Sequence, residues 1–339
     1  MRGFRLFILA VVILISPVIV SALQNIPQEK NIRAIHFVLR MITMEDALLL
    51  VDKAKKAGFN TALVQLTDGV KLDHAPWKPL PNAWSKKDLR KWVLYAEQNG
   101  IKLIPELKLL THQAKFFQSH YPRLMYNLKT YDPRNKEVYQ KIFPLIDEVI
   151  GLFRPRAIHI GHDEVKGWHK SWKTKIKEYF IPDDMLPANL FLEDIKIIHS
   201  YLKNKGVETW MWGDMLLSPT EFPKDNRKWT PYHGSAPGYG KELREKIPKE
   251  IVICDWQYFS PNSDFPSLAL FIKEGFRVLG ATFKRKESTR NFSKYAAEHE
   301  AEGMIATTWF HVQRQEWITV DQIIETSGDS FNKDFPDAK

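Results

Sequence analysis

The sequence predicts an α/β protein of one domain, a (β/α)8 barrel of the TIM type. Three observations predict it. Eight apolar, strand-like runs, at 34–39, 61–66, 102–107, 157–161, 207–212, 251–256, 277–283 and 304–310, alternate with amphipathic helix-like segments. The chain has 339 residues, 44% of them hydrophobic, enough for one such domain, and no linker or low-complexity stretch divides it. Polar and aromatic residues repeatedly close the runs at their C-terminal ends, where barrels of this kind place their chemistry. An open doubly wound sheet is the alternative. It usually carries a glycine fingerprint after its first strand, and Phe37-Val38-Leu39-Arg40-Met41-Ile42 has none.

The chain starts with Met1-Arg2-Gly3-Phe4-Arg5, an apolar run over 6–15, then Ser16-Pro17 and the small residues Ser21 and Ala22. That is the pattern of an export signal over 1–22, cleaved after Ala22, with an uncleaved membrane anchor as the second reading. Either way the folded part is expected in an exported compartment, periplasmic, secreted or lumenal. A polar spacer follows over 23–30, and the barrel is expected over 31–328. After the first run, Thr43-Met44-Glu45-Asp46 resembles a capping box and starts a helix that Gly58 stops. The second run ends in Thr67-Asp68-Gly69, and the helix at 85–100 repeats the first design. The third run ends in Pro105-Glu106, with His112 just beyond, and a helix over 137–153 follows. The fourth run leads to a helix at 190–206. The fifth ends in Trp212-Gly213-Asp214 and is followed only by a weak helix at 241–247, after a Pro- and Gly-rich loop. The sixth ends in Asp255-Trp256-Gln257-Tyr258. Helices at 267–275, 292–303 and 320–326 complete the alternation, the eighth run ends in Trp309-Phe310-His311, and the polar tail at 329–339 is expected to fray.

The formal charge of +9 narrows the partners. Two of its contributors, Arg2 and Arg5, lie in the N-terminal segment, and the lysines spread over helix-like segments as solvated faces. No dense basic block suggests nucleic acid. The single Cys254, inside an apolar run, excludes an internal disulfide and a multi-cysteine metal cluster and reads as an inert buried thiol. Eleven Trp is many for this length, and indoles at strand ends suit the flat apolar face of a sugar ring.

The chemistry centres on Ala157-Ile158-His159-Ile160-Gly161-His162-Asp163-Glu164-Val165, a β-branched apolar run that ends in two adjacent carboxylates. Such charges need partners or water, and in enzymes they serve acid/base work. A salt-bridged strand end is the plain competitor. His159, Gly161 and His162 crowd the same turn, and the polar strand ends together favour a carbohydrate-like pocket.

The motif His159-Ile160-Gly161-His162-Asp163-Glu164 resembles the His-x-Gly-x-Asp-Glu of glycoside hydrolase family 20, the β-N-acetylhexosaminidases. Leu66-Thr67-Asp68-Gly69, Ile104-Pro105-Glu106 with His112, and Trp210-Met211-Trp212-Gly213-Asp214-Met215 resemble further family stretches, in order, from about Arg33 to Trp309. No counterpart of the small α/β domain that precedes many members' barrels is found, so the chain is similar to the catalytic-domain-only, hexosaminidase D-like branch. The resemblance implies a TIM-barrel glycosidase that removes terminal β-linked N-acetylhexosamine, GlcNAc or GalNAc, through an oxazolinium intermediate. Glu164 would be the general acid/base and Asp163 would orient the 2-acetamido group. Asp68 and His112 would form a relay behind Glu164. Trp212, Trp256 and Trp309 would wall the sugar, Tyr258 would donate to the acetamido oxygen, and Arg33 would bind ring hydroxyls. Asp214 would bind hydroxyls or cap a loop. His162, where many members have Gly, would narrow the site or add a polar contact. Many members end the last strand in Trp-x-Glu; here Trp309-Phe310-His311 lacks that Glu unless Glu316 substitutes.

The implied partner is an N-acetylhexosamine-containing glycan or glycoconjugate, with no nucleic acid, and a membrane only if the N-terminal segment stays uncleaved. No cofactor and no metal is expected. Two competing functions stay open: a carbohydrate-binding barrel without activity, and a metal-dependent sugar deacetylase using His159, His162, Asp163 and His112 as ligands. Linkage, aglycone, sugar configuration and oligomeric state are not fixed by the residues.

Overall fold

An apolar run without polar interruption must be covered on both faces, and a closed parallel barrel inside a ring of helices does that. The computed structural model describes residues 29–113, 116–165, 185–225 and 230–337. Within them, eight parallel strands close into a barrel in sequence order. They are β1 (Ile32–Leu39), β2 (Thr61–Leu66), β3 (Lys102–Leu109), β4 (Ala157–Gly161), β5 (Glu208–Trp212), β6 (Val252–Trp256), β7 (Arg277–Thr282) and β8 (Gly303–Ala306). The helices that follow them are α1 (Met44–Lys56), α2 (Lys86–Gln98), α3 (Lys136–Phe153), α4 (Ala188–Asn204), the single turn α5 (Lys241–Arg244), α6 (Pro266–Lys273), α7 (Lys286–Glu298) and α8 (Trp317–Asp334).

The caps are local and explain where the first helices begin. Thr43 Oγ1 accepts from the Asp46 N–H at 3.1 Å at the start of α1, and Ser85 and Asp88 cap α2 reciprocally. Side chains alternate along each strand. In β1, Ile35, Phe37 and Leu39 pack outward with the helices, whereas Ile32 and Ala34 join Leu63, Ile104, Ala157, Trp210, Val252 and Ile305 inside the barrel. Above this apolar floor come a buried polar layer of His36, Glu106 and His159, then Val38, Gln65 and Lys108 at the mouth. Cys254 is buried inside the barrel.

Several boundaries differ from the expected ones. β8 stops at Ala306, and α7 begins six residues before 292. The tail at 329–339 is not frayed as a whole, because α8 continues to Asp334. Phe331 and Phe335 are buried, and the Phe331 ring meets Phe59 edge-on at 6.1 Å. The export-signal segment 1–22 lies outside the described residues. Among the described residues no helix is long and apolar enough to cross a membrane.

Candidate active site

The turn after β4 decides which side chains face the barrel mouth. Gly161, His162 and Glu164 have φ of 79°, 67° and 52°. Gly161 needs its lack of a side chain: a Cβ there would lie 3.3 Å from Lys108 Cα, where β3 and β4 slip register between Glu106 and Leu109. Left-handed backbone at non-Gly residues costs about 1–3 kcal/mol each and persists where surroundings hold it. A buried network supplies the hold at His162. Its Nε2 donates to Asp194 Oδ2 of α4 at 2.8 Å, and the same carboxylate accepts from Tyr131 at 2.9 Å and Tyr139 at 2.8 Å.

With His162 anchored outward, Asp163 and Glu164 line the mouth. His112 joins them: its Nε2 lies 3.1 Å from Asp163 Oδ2 and 3.9 Å from Glu164 Oε2. Burial pushes the Asp163 carboxyl up, but the charge and hydrogen bond of His112, helped by Lys108, outweigh it and hold that carboxyl well below the usual range. The Glu164 N–H donates to Asp214 Oδ2 at 2.8 Å, and His233 Nδ1 meets the same oxygen at 2.8 Å. Burial raises the Asp214 carboxyl, and the nearby Asp163 charge adds to that against the pull of His233.

The cavity above has a volume of about 550 Å³, within the range of small-ligand sites. Trp212, Trp256, Tyr258 and Trp309 wall it. Trp256 stacks on Tyr258 at 5.0 Å, and Trp212 and Trp309 lie 5.7 Å apart. Trp309 turns inward from the loop after β8 with φ of 43°. Below, Trp212 Nε1 donates to Glu106 Oε1 at 3.2 Å, and His36 Nε2 to Glu106 Oε2 at 3.1 Å. Burial takes His159 down to about 4 against the opposing pull of Glu106, so its ring is neutral near pH 7. Three polar atoms of residues lining the cavity are buried without a well-formed hydrogen bond, Gln65 Nε2, Asp163 Oδ1 and Tyr258 Oη. Burial raises the Tyr258 phenol well above its ordinary value, so it stays a donor.

The other sequence-derived positions lie elsewhere. Asp68 does not reach His112: Arg40 binds it through two contacts of 2.6 and 3.2 Å, and no Asp68–His112 relay forms. Arg33 belongs to the opposite end of the barrel, where it donates to the Gly58 and Phe335 carbonyls and pairs with Asp337. His162 is buried on Asp194 and does not line the cavity. Asp214 sits behind Glu164 and holds its backbone, so it is not a wall residue. Glu316 pairs with His311, which packs against Phe283, so neither supplies the missing carboxylate; Gln313 lines the cavity instead. The four residues considered as metal ligands diverge. His159 packs on Trp212 at 4.5 Å, His162 binds Asp194, and Asp163 and His112 bind each other. Among the described residues no group of three or more His, Cys, Asp or Glu is placed to hold a metal ion.

Gln65, Lys108 and His233 line the cavity and were not singled out from the sequence. A signal for the first two existed. Each lies an even number of residues from an inward apolar position of its strand, Leu63 and Ile104.

Comparison with known proteins adds an independent line. Residues 54–318 match the model of the glycosyl hydrolase family 20 catalytic domain. The chain is similar to a β-hexosaminidase of Emericella nidulans, with 24% identity over 220 residues, 58% of this chain and 32% of that protein. It therefore spans about a third of that curated relative's length. Among solved structures it is similar to a β-N-acetylhexosaminidase from Bacteroides fragilis, with a TM-score of 0.61 and 16% identity, covering 88% of this chain and 65% of that one. It is also similar to Dispersin B, with a TM-score of 0.59 and 17% identity, covering 90% of this chain and 99% of that one. At these identities the structural likeness shows the shared barrel.

Proposed function

The chain belongs to glycosyl hydrolase family 20, and from that premise we propose that it is an exo-acting β-N-acetylhexosaminidase that retains anomeric configuration. One observation carries the reading: Asp163 and Glu164, joined through His112, face a cavity walled by indoles. Glu164 acts as the general acid and protonates the glycosidic oxygen as its bond to the anomeric carbon breaks. Among the described residues the carboxylates of the lining are Asp163 and Glu164, adjacent on one turn, and in this reading the sugar's own 2-acetamido oxygen is the nucleophile. Asp163, held ionised, accepts the acetamido N–H and stabilises the positive oxazolinium ion. Tyr258 donates to the acetamido oxygen and fixes its direction. Asp163 Oδ1, buried without a hydrogen-bond partner, supports this placement. Water then opens the oxazolinium ion and gives a proton to Glu164, now the base. His112 and Asp214 position the pair, one from the side chains and one from the Glu164 backbone.

A set of aryl β-glycosides tests the reading. The wild type is expected to cleave 2-acetamido sugars and to spare their 2-hydroxy counterparts. Glu164→Gln should lower kcat by about 10²–10⁴-fold, and Asp163→Asn should also lower it sharply. Equal cleavage of both sugar classes would remove substrate assistance. From the pattern of residues 1–22 we also propose that the chain is exported. N-terminal sequencing of the exported protein should then begin at Leu23; an intact Met1 in the exported protein would contradict cleavage.

A further inference from the structure

We propose that the wall of this cavity at the ends of β2 and β3 is a subsite for an anionic substituent on the saccharide, a carboxylate or a sulfate ester, bound by Lys108 and Gln65. The proposal rests on the glycosidase reading and narrows its substrate class. Both side chains come from inward positions of paired strands, and both line the cavity. Lys108 Nζ lies over the Trp309 ring, 5.1 Å from its centroid, so a cation sits against an aromatic ring of the cavity wall. Among the described residues, the ion pairs of the cavity are those of His112 with Asp163 and Glu164 and of His233 with Asp214; Lys108 makes none. Gln65 is 4% exposed, and its Nε2 is buried without an acceptor. A buried donor of that kind is satisfied by a ligand oxygen. A hydroxyl would serve the amide alone, whereas an anionic oxygen serves amide and ammonium together. The charges are also separated by strand. Among the described residues, the carboxylates of the lining lie on the turn after β4, and the loop after β8 contributes Gln313 and no carboxylate. A sugar with its reacting end at Glu164 and a negative group toward β2 and β3 fits that division.

The test compares kcat/KM of the whole chain for 4-nitrophenyl N-acetyl-β-glucosaminide and for its 6-O-sulfated and 3-O-carboxyethyl derivatives. The two derivatives distinguish sulfate from carboxylate. At least one anionic glycoside should be preferred over the neutral one. That preference should fall about tenfold or more in Lys108→Met, persist in Lys108→Arg and weaken with added salt. A preference for the neutral glycoside in the wild type overturns the proposal. So does a Lys108→Met variant that keeps the wild-type ratio of anionic to neutral turnover, whatever its overall activity, since Lys108 would then serve only the charge of Asp163. If no glycoside is cleaved, the glycosidase reading has failed on its own. Calorimetric titration of N-acetylglucosamine and its 6-sulfate then reads the charge preference without turnover, and equal affinities overturn it.

Discussion

Asp163 is kept charged where burial disfavours charge, and His112 is the reason. Removing His112 removes the cation that depresses the carboxyl. Asp163 would then take up its proton at a higher pH and, in the mechanism proposed above, lose its grip on the positive intermediate. In His112→Asn the acid limb of the kcat/KM profile should therefore move upward by about 1–2 pH units; an unmoved limb would show that another group sets it. At this scale much of the site was legible. Adjacent carboxylates at a strand end and indoles at neighbouring ends announce themselves by type and position. What a side chain bonds to was less legible. Asp68 stands in the expected motif, yet the pairing of Leu39 with Leu66 sets Arg40 beside it, and the stronger local charge claims the carboxylate. Arg33 was placed on the right strand at the wrong end, because it is the second residue of β1 and the chemistry gathers after the last.

At the scale of elements, the turn after β4 is held from outside the barrel. α4 contributes Asp194, which accepts from His162, Tyr131 and Tyr139 in a buried cluster. Asp194→Ala would leave three donors unpaired, at about 1–3 kcal/mol for each. Urea unfolding should show a loss of several kcal/mol, and kcat should fall although no cavity residue has changed. A loss under about 1 kcal/mol would mean that water replaces the carboxylate without strain. Helix starts were the most legible elements, since Thr43 and Ser85 cap through neighbours three residues on. The end of β8 was not. Met304 to Phe310 reads as one strand-like run, but the chain leaves the sheet after Ala306 to turn Trp309 into the mouth.

At the scale of the whole molecule, the barrel closes β8 onto β1, and α8 packs against both strands before the chain reaches Arg33 at the bottom. Arg33 reaches across 302 residues of sequence to donate to the Phe335 carbonyl at 2.7 Å. A chain ending at Gly328 loses two buried phenylalanines, at about 3–5 kcal/mol each by analogy with core truncations, and leaves Arg33 short of partners. Its unfolding midpoint in urea should fall clearly below that of the whole chain, and an unchanged midpoint would return 329–339 to the status of a dispensable tail. The sequence by itself determined the barrel, its strand order, the ring of helices and the carboxylate pair, because period, capping and residue type are local properties. Only the tertiary structure decided the rest: that His112 serves Asp163, that Asp214 holds Glu164 from behind, that His162 faces away and that Lys108 lines the mouth. Those outcomes depend on strand register and on left-handed turns after strand ends, where a rotation of one residue sends a side chain into the cavity or out of it.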